Sequence, residues 1–215
     1  MEVMLMADLS GITNALIAGD EDTVINLVQQ FLNEGRSAKE ILYDGLIKGM
    51  DVIGERMEDG EMFIPEVIMS ANIMSIALNI LKPLLADEDV GAFGKVVIGT
   101  VKGDLHDIGK NLVMIMLEGA GFEIINLGVD VSPEDFVEAV KKNDADIVAL
   151  SALLTTTMPM MKKTIDLITE SGLRDRVKVM VGGAPVKQKF ADEIGANGHA
   201  PDAGSATKLA KKLMQ

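Results

Sequence analysis

Apolar positions keep two different rhythms along this chain. Through about residue 85 they recur only at the three- and four-residue spacing of a helix's buried stripe. Between Asp20 and Gly35 the set Val24, Leu27, Val28, Phe31 and Leu32 makes one such stripe, and Gly35 suits the left-handed residue that stops a helix. Ser37-Ala38-Lys39-Glu40 has the capping-box pattern, in which the hydroxyl and the carboxylate each take a free backbone N–H. It predicts a third helix carrying Ile41, Leu42, Leu46, Ile53 and Met57. Pro65 stands where a first helical turn tolerates proline, ahead of a helix over residues 66–85. With an opening helix near residues 7–18, the first half predicts a four-helix bundle.

From Lys95 the rhythm changes to short apolar runs separated by amphipathic stretches. Residues 95–101, 123–127, 146–152 and 178–181 read as buried strands, with a short fifth near 195–199. Helices are expected at 109–120, 133–143, 158–171 and 204–214, with Ser132-Pro133 starting one and Gly121 ending another. This alternation predicts a parallel sheet with helices on both faces, doubly wound and flavodoxin-like (Rossmann-like), with strand order 2-1-3-4-5. The fold class is therefore α plus α/β: a helical cap domain over 1–88 and an α/β domain over 89–215. The acidic, glycine-containing stretch 87–94 between them suits a hinge.

Composition narrows the function classes. At 215 residues and 48% hydrophobic content the chain can bury a sizeable core. No uncharged stretch is longer than 147–161, which is shorter than a bilayer span, and the opening Met1-Glu2-Val3 lacks a signal peptide's basic region, so a cytoplasmic protein with no membrane partner is expected. The absence of Cys excludes disulfides, thiolate metal sites, Fe–S clusters and cysteine nucleophiles. Any metal must be held by His or oxygen, or arrive inside a cofactor. A net charge of -13 argues against nucleic acid, and the Lys pairs at 141–142, 162–163 and 211–212 read as solvated helix faces. Basic partner surfaces suit such a chain.

The densest chemistry lies where the first strand gives way to a helix, at Asp104-Leu105-His106-Asp107-Ile108-Gly109. A carboxylate two residues before a histidine can accept the proton of one ring nitrogen, which fixes the tautomer and leaves the other nitrogen free for a metal. Gly103 and Gly109 would let the backbone turn tightly on either side. The same residues also read as a solvated turn or as the cap of the next helix. Company at a distance favours the ligand reading. Ser151-Ala152-Leu153 ends the third strand, hydroxyls follow as far as Thr157, and Gly182-Gly183 closes the fourth. In a sheet of this order ligands sit where the strand order reverses, between the first and third strands, so these motifs share one mouth. Phe63 reads as core or as a lid, and the 15 Met residues as adaptable core filler. There is no Gly-x-Ser-x-Gly elbow, no Walker A loop and no second ligand cluster; His106 and His199 are the only histidines, and no catalytic residue is expected.

These residues resemble the cobalamin-binding signature, Asp-x-His-x-x-Gly followed at a distance by Ser-x-Leu and then by Gly-Gly. The match is Asp104, His106, Gly109, Ser151, Leu153, Gly182 and Gly183. The first half is similar to the helical cap of methyl-transferring corrinoid proteins, with Met62-Phe63-Ile64-Pro65 at that family's Met-Phe-Leu-Pro-like turn. A cap plus a cobalamin domain without a catalytic barrel resembles the stand-alone corrinoid carriers of methanogenic archaea and anaerobic bacteria, above all the methylamine-specific ones, monomethylamine first.

The resemblance implies that cobalamin binds with its own benzimidazole displaced and His106 in the lower axial position on cobalt. It makes Asp104 the hydrogen-bond partner of His106, backed by a hydroxyl that by position is Thr157, where methionine synthase has Ser. Leu105, Asp107, Ile108, Gly109 and Leu153 become cofactor-binding positions, Ser151 and Thr155 contacts of the displaced nucleotide tail, and Gly182 and Gly183 the room left for it. Met62 and Phe63 become contacts of the cap with the corrin. At Gly198-His199-Ala200, relatives often have Gly-Tyr or Gly-Phe, a departure that leaves the role of His199 open.

In the implied cycle cobalt(I) takes a methyl group on a substrate-specific methylamine methyltransferase, giving methylcobalamin with cobalt(III). A second methyltransferase passes the methyl to coenzyme M in methanogenesis, and a reductive activation protein restores cobalt(I). The chain is then a shuttle, not an enzyme on its own, with a cap that moves off the reactive face when a partner docks. Carriers of the same design serve methanol, methyl thiols or methoxy-aromatics, and no residue here reads the substrate. A mutase cobalamin subunit shares the signature but has no reason to carry the 63–65 turn. From another class, a signalling receiver would use Asp104 and Asp107 in a Mg²⁺ pocket, leaving Ser151-x-Leu153 and Gly182-Gly183 unexplained. A cobalamin-sensing regulator would need a basic recognition helix, which the acidic first half lacks.

Overall fold

Four helical rods build the first half. In the computed structural model, which describes residues 8–87 and 93–215, they are α1 (Ser10–Ala18), α2 (Glu21–Asn33), a third rod and α5 (Ile64–Asp87). Most of the expected hinge at 87–94 lies outside the described residues, as does residue 7, where the opening helix was expected to start; α1 begins at Ser10. The chain divides into two compact units, Met1–Gly91 and Ala92–Gln215.

The helix ends follow the local chemistry. The Asp20 carboxylate accepts the Thr23 N–H at 3.1 Å to start α2, and Gly35 takes a left-handed φ of 85° after it. Ser37 and Glu40 form the expected capping box. The third rod departs from expectation, because α3 (Ala38–Glu40) runs into a π-helix, Ile41–Ile47, before α4 (Lys48–Glu58). Within this segment Gly45 O accepts the Lys48 N–H and also the Thr13 hydroxyl of α1, the latter at 2.8 Å. Ile41, Leu42, Leu46 and Ile53 are buried as expected, whereas Met57 is half-buried.

Helix α5 buries Val67, Ser70, Ala71, Ile73, Met74, Ala77 and Leu81, and the Ser70 hydroxyl donates to Leu16 O at 2.8 Å. Over Ile64–Leu85 it is long and apolar enough to cross a membrane by length and composition, with a mean hydropathy of 1.6. Glu66 and Lys82 bound its uncharged run, 67–81, which is as long as 147–161 and likewise shorter than a bilayer span. Its buried stripe is the one that packs in the bundle.

The second unit is a five-stranded parallel sheet of order β2-β1-β3-β4-β5, formed by β1 (Lys95–Thr100), β2 (Glu123–Asn126), β3 (Ile147–Ser151), β4 (Lys178–Gly182) and β5 (Gly198–Ala200). Its connecting helices are α6 (Ile108–Gly119), α7 (Pro133–Asn143), α8 (Pro159–Glu170), α9 (Gln188–Ile194) and α10 (Ala203–Leu213). One face packs Val97, Val148, Leu150, Val179 and Val181 against α7, α8 and α9. The other packs Val96, Ile98, Ile147, Ala149 and Met180 against α6 and α10. Strands buried on both faces explain the unbroken apolar runs. Helix α9 is not expected from the sequence. It has seven residues, buries only Ala191 and Ile194, and is too short to show a period; Gly195, where the fifth strand was expected to begin, instead ends it at a φ of 76°. In register, Thr100 lies beside Ser151 and Ser151 beside Gly182, so the sequence motifs line up at one end of the sheet.

Phe136 of α7 is fully buried against the first face. Phe136→Ala is expected to cost about 3–5 kcal/mol through lost contacts and a residual cavity. The check is the urea midpoint of the α/β unit followed by far-ultraviolet circular dichroism.

Candidate functional site

The site is built from three loops at the carboxyl end of the sheet. After β1, Val101 to Asp104 form a turn closed by the Asp104 N–H on Val101 O at 3.1 Å, with Gly103 at a φ of 84°. That left-handed conformation is what the third position of such a turn needs, so a glycine stands there. Gly109 differs from expectation. It lies within the first turn of α6 without a left-handed φ, and a side chain there would point into open space. Asp107 occupies the N-cap position of α6 but makes no cap bond; it accepts from Asn111 Nδ2 at 3.1 Å.

Asp104 is fully buried. Its Oδ1 accepts from His106 Nδ1 at 2.7 Å and from the His106 N–H at 3.1 Å. Its Oδ2 faces the Leu153 N–H at 2.8 Å, the Leu154 N–H at 3.2 Å and the Thr157 hydroxyl at 2.8 Å. The Thr157 hydrogen can serve either this oxygen or Leu154 O, also at 2.8 Å. Burial pushes the Asp104 carboxyl up, at a cost of several kcal/mol for an ionised group. Each charge-assisted bond contributes about 1.5–3 kcal/mol, and with five donors in reach the bonds win. The Asp104 carboxyl therefore sits well below the usual carboxylate range, held there by His106, Leu153 and Thr157.

An ionised Asp104 can only accept, so the 2.7 Å contact places the proton of His106 on Nδ1. The His106 side chain is 51% exposed, and Nε2 is the nitrogen left to take a metal. Thr100, buried at the end of β1, donates its hydroxyl to the His106 carbonyl at 2.8 Å and fixes the backbone from below. Around the ring Leu105 is 71% exposed and Ile108 81% exposed, with Leu153 and Leu154 also open to solvent. Among the described residues no group of three or more His, Asp or Glu could hold a metal ion. A single imidazole in an apolar collar fits a metal that brings its other ligands in a macrocycle, and does not fit a bare ion. The Mg²⁺ pocket of the receiver reading is also excluded, because both Asp104 oxygens are occupied by protein donors.

Comparison with known proteins decides the family. A B12 binding domain matches residues 94–207 and a second B12 binding domain family matches residues 9–82. The chain is 44% identical over 207 residues to the dimethylamine corrinoid protein of Methanosarcina barkeri, covering 96% of this chain and 97% of that one. The chain belongs to the B12-binding corrinoid proteins. Its cofactor is a corrinoid, and its relatives are corrinoid subunits of methyltransferase systems. The fold agrees: a cobalamin-binding protein from Desulfitobacterium hafniense DCB-2 superposes with a TM-score of 0.83 at 34% identity, over 96% of this chain and 98% of that chain. The methanol:cobalamin methyltransferase complex of Methanosarcina barkeri gives a TM-score of 0.82 at 30% identity, over 98% of this chain and 80% of that chain.

The other expected positions of this corrinoid protein fall into two groups. Ser151 ends β3, half-buried, and Thr155 is exposed on the loop that supplies the Asp104 donors. Gly182 and Gly183 close β4, but the need for glycine comes first from the protein itself. Gly183 has a φ of 124°, and a Cβ there would lie 1.9 Å from Ala152 O. In the bundle, Met62 is buried and unavailable to a ligand, whereas Phe63 is 69% exposed. His199 shares the face of Val181; burial and then the charge of Lys187 lower its pKa, and its Nε2 is buried without a hydrogen-bond partner among the described residues.

Three residues beside the site escaped the sequence reading: Thr100, Asp130 and Lys110. Lys110 is buried and donates to Asn111 Oδ1 at 2.6 Å and Asn126 Oδ1 at 3.1 Å; burial lowers its pKa and Asp107 opposes that. The available signals were a hydroxyl at the end of an apolar strand and a lysine directly after Gly109.

Asp104→Asn is expected to destabilise the α/β unit by roughly 3 kcal/mol, since it turns an amide donor toward buried donors. A carboxylate whose folded pKa lies below its unfolded value of about 3.9 stabilises fully above that value and loses this contribution as pH falls through the folded pKa. Urea titrations should show a constant gap between wild type and variant from pH 7 to 5, shrinking below about pH 4.

Proposed function

We propose that this corrinoid protein is the methyl carrier of a methylamine methyltransferase system, taking a methyl group from a substrate-specific methyltransferase and delivering it to a second one that methylates coenzyme M in methanogenesis. The observation that carries the reading is the lone nitrogen ligand of the site: one imidazole, His106, oriented by a buried ionised carboxylate, with exposed Leu105, Ile108, Leu153 and Leu154 beside it.

When bound, the corrinoid's cobalt supplies the chemistry of accepting and releasing the methyl group. The chain's residues do the rest. His106 would hold the cobalt through Nε2, while Asp104 and Thr157 fix the plane and tautomer of its ring. Leu105, Asp107, Ile108, Gly109 and Leu153 would hold the macrocycle, and Ser151, Thr155, Gly182 and Gly183 would make room for its nucleotide tail.

The donor amine is read by the partner enzyme. Similarity to the dimethylamine corrinoid protein favours dimethylamine over the monomethylamine expected first. A reductive activation protein is the third partner, and a cytoplasmic location follows from the same system. The net charge of -13 suits basic docking surfaces on all three.

Anaerobic reconstitution of the full chain with hydroxocobalamin is expected to retain one corrinoid per chain, with a visible spectrum that changes in His106→Ala. Once a reductant has brought the loaded protein to cobalt(I), the wild type should be methylated by dimethylamine only when the cognate methyltransferase is present, and His106→Ala at least tenfold more slowly, about the loss expected of a missing metal ligand. A chain that retains no corrinoid sinks the carrier reading.

A further inference from the structure

Two of the three loops at the histidine have an assigned part: the loop after β1 carries Asp104 and His106, and the loop after β3 holds Asp104. The third loop, between β2 and α7, runs on beside β1. Leu127 donates to Ile98 O at 2.8 Å, Thr100 to Gly128 O at 3.0 Å and Val131 to Thr100 O at 3.0 Å. This path uses two left-handed residues, Gly128 at a φ of 83° and Asp130 at 57°. Outside glycine such a conformation is uncommon, and it points the Asp130 carboxylate at a specific target. Its Oδ1 accepts the Gly103 N–H at 2.8 Å and its Oδ2 the Lys102 ammonium at 3.0 Å. The Asp130 N–H itself donates to Asp104 O at 3.0 Å. One residue of the third loop thus grips the turn on both sides of Gly103.

We infer that Asp130 is a positioning residue for His106: it fixes the turn 101–104, and through that turn the height and tilt at which the imidazole meets cobalt. This rests on the corrinoid reading of the site. The ion pair with Lys102 is about half exposed on both partners, 52% and 42%, so water screens it. The bond to Gly103 holds the main chain and therefore carries the effect.

The test uses the full chain reconstituted with hydroxocobalamin and reduced to cobalt(II). The readouts are the visible spectrum, the nitrogen splitting in the electron paramagnetic resonance spectrum, and the cobalt(II)/cobalt(I) midpoint potential. Asp130→Gly keeps the left-handed backbone and removes the carboxylate. It should lower the ratio of His-ligated to unligated cobalt(II) about tenfold, as loss of a residue behind a metal ligand does. Because cobalt(I) gives up the axial ligand, that fall raises the midpoint by about 59 mV while ligation is strong. Asp130→Asn tolerates the same backbone and keeps an acceptor, but loses the charge that roughly doubles the bond's strength, so a shift of about two- to threefold in the same direction is expected.

A wild-type ratio and midpoint in Asp130→Asn, or in folded Asp130→Gly, overturns the assignment, and the Asn variant decides alone if the glycine variant does not fold. Wild-type protein that retains no corrinoid, or a His106→Ala spectrum identical to wild type, overturns the corrinoid reading itself and is seen before any Asp130 variant is measured.

Discussion

Everything at the site depends on one buried, ionised carboxylate. Asp104 lies out of water with five donors in reach, contributed by its own loop and by the loop after β3. An unsatisfied charge there would not persist. The demand for donors therefore dictates that the backbone of Leu153 and Leu154 turns its N–H groups inward at the end of β3. The sheet makes this feasible, because Thr100 and Ser151 are neighbours in register and the two loops leave adjacent strands. The histidine is oriented as a by-product of satisfying the carboxylate.

Rigidity and exposure are divided along the chain. Polar groups that orient the ring, Asp104, Thr157 and Thr100, are all buried, whereas the apolar side chains around the ring are open to solvent. That is the reverse of an ordinary loop, where polar atoms face water and leucines pack inward. The inversion makes sense once the ligand is a large flat macrocycle: the protein buries what must not move and exposes what must be covered. Gly183 belongs to the same scheme. Its approach to Ala152 O brings the ends of β3 and β4 closer than any side chain allows.

The sequence disclosed long-period features and hid short or relational ones. Strands β1, β3 and β4 were legible because burial on both faces leaves apolar runs that nothing else in the chain imitates, and the capping boxes at Ser37 and Ser132 marked helix starts. Helix α9 and the π-helix Ile41–Ile47 were not legible, the first for its length and the second because its pattern matches an α-helix until the ladder shifts. At the site, Asp104 and His106 stood out because two residues close in sequence are also close in space. Thr157 came from likeness alone. Asp130 bonds to Gly103 across 27 residues of chain, and a single aspartate in a turn carries no periodic or spacing signal of that partnership.

The single-nitrogen donor set has a further consequence for how this protein keeps the right metal. Sites of several histidines or thiolates bind copper, nickel and zinc in the order of those ions' intrinsic affinities, and cells must police them. Here one imidazole offers no chelate effect, the chain has no thiol, and no second cluster of ligands stands among the described residues. Abundant divalent ions have nothing to compete for. On the proposed ligation by His106, metal selection would be delegated to whatever assembles the corrin ring, and the polypeptide would recognise a finished coordination complex by its shape and its greasy faces.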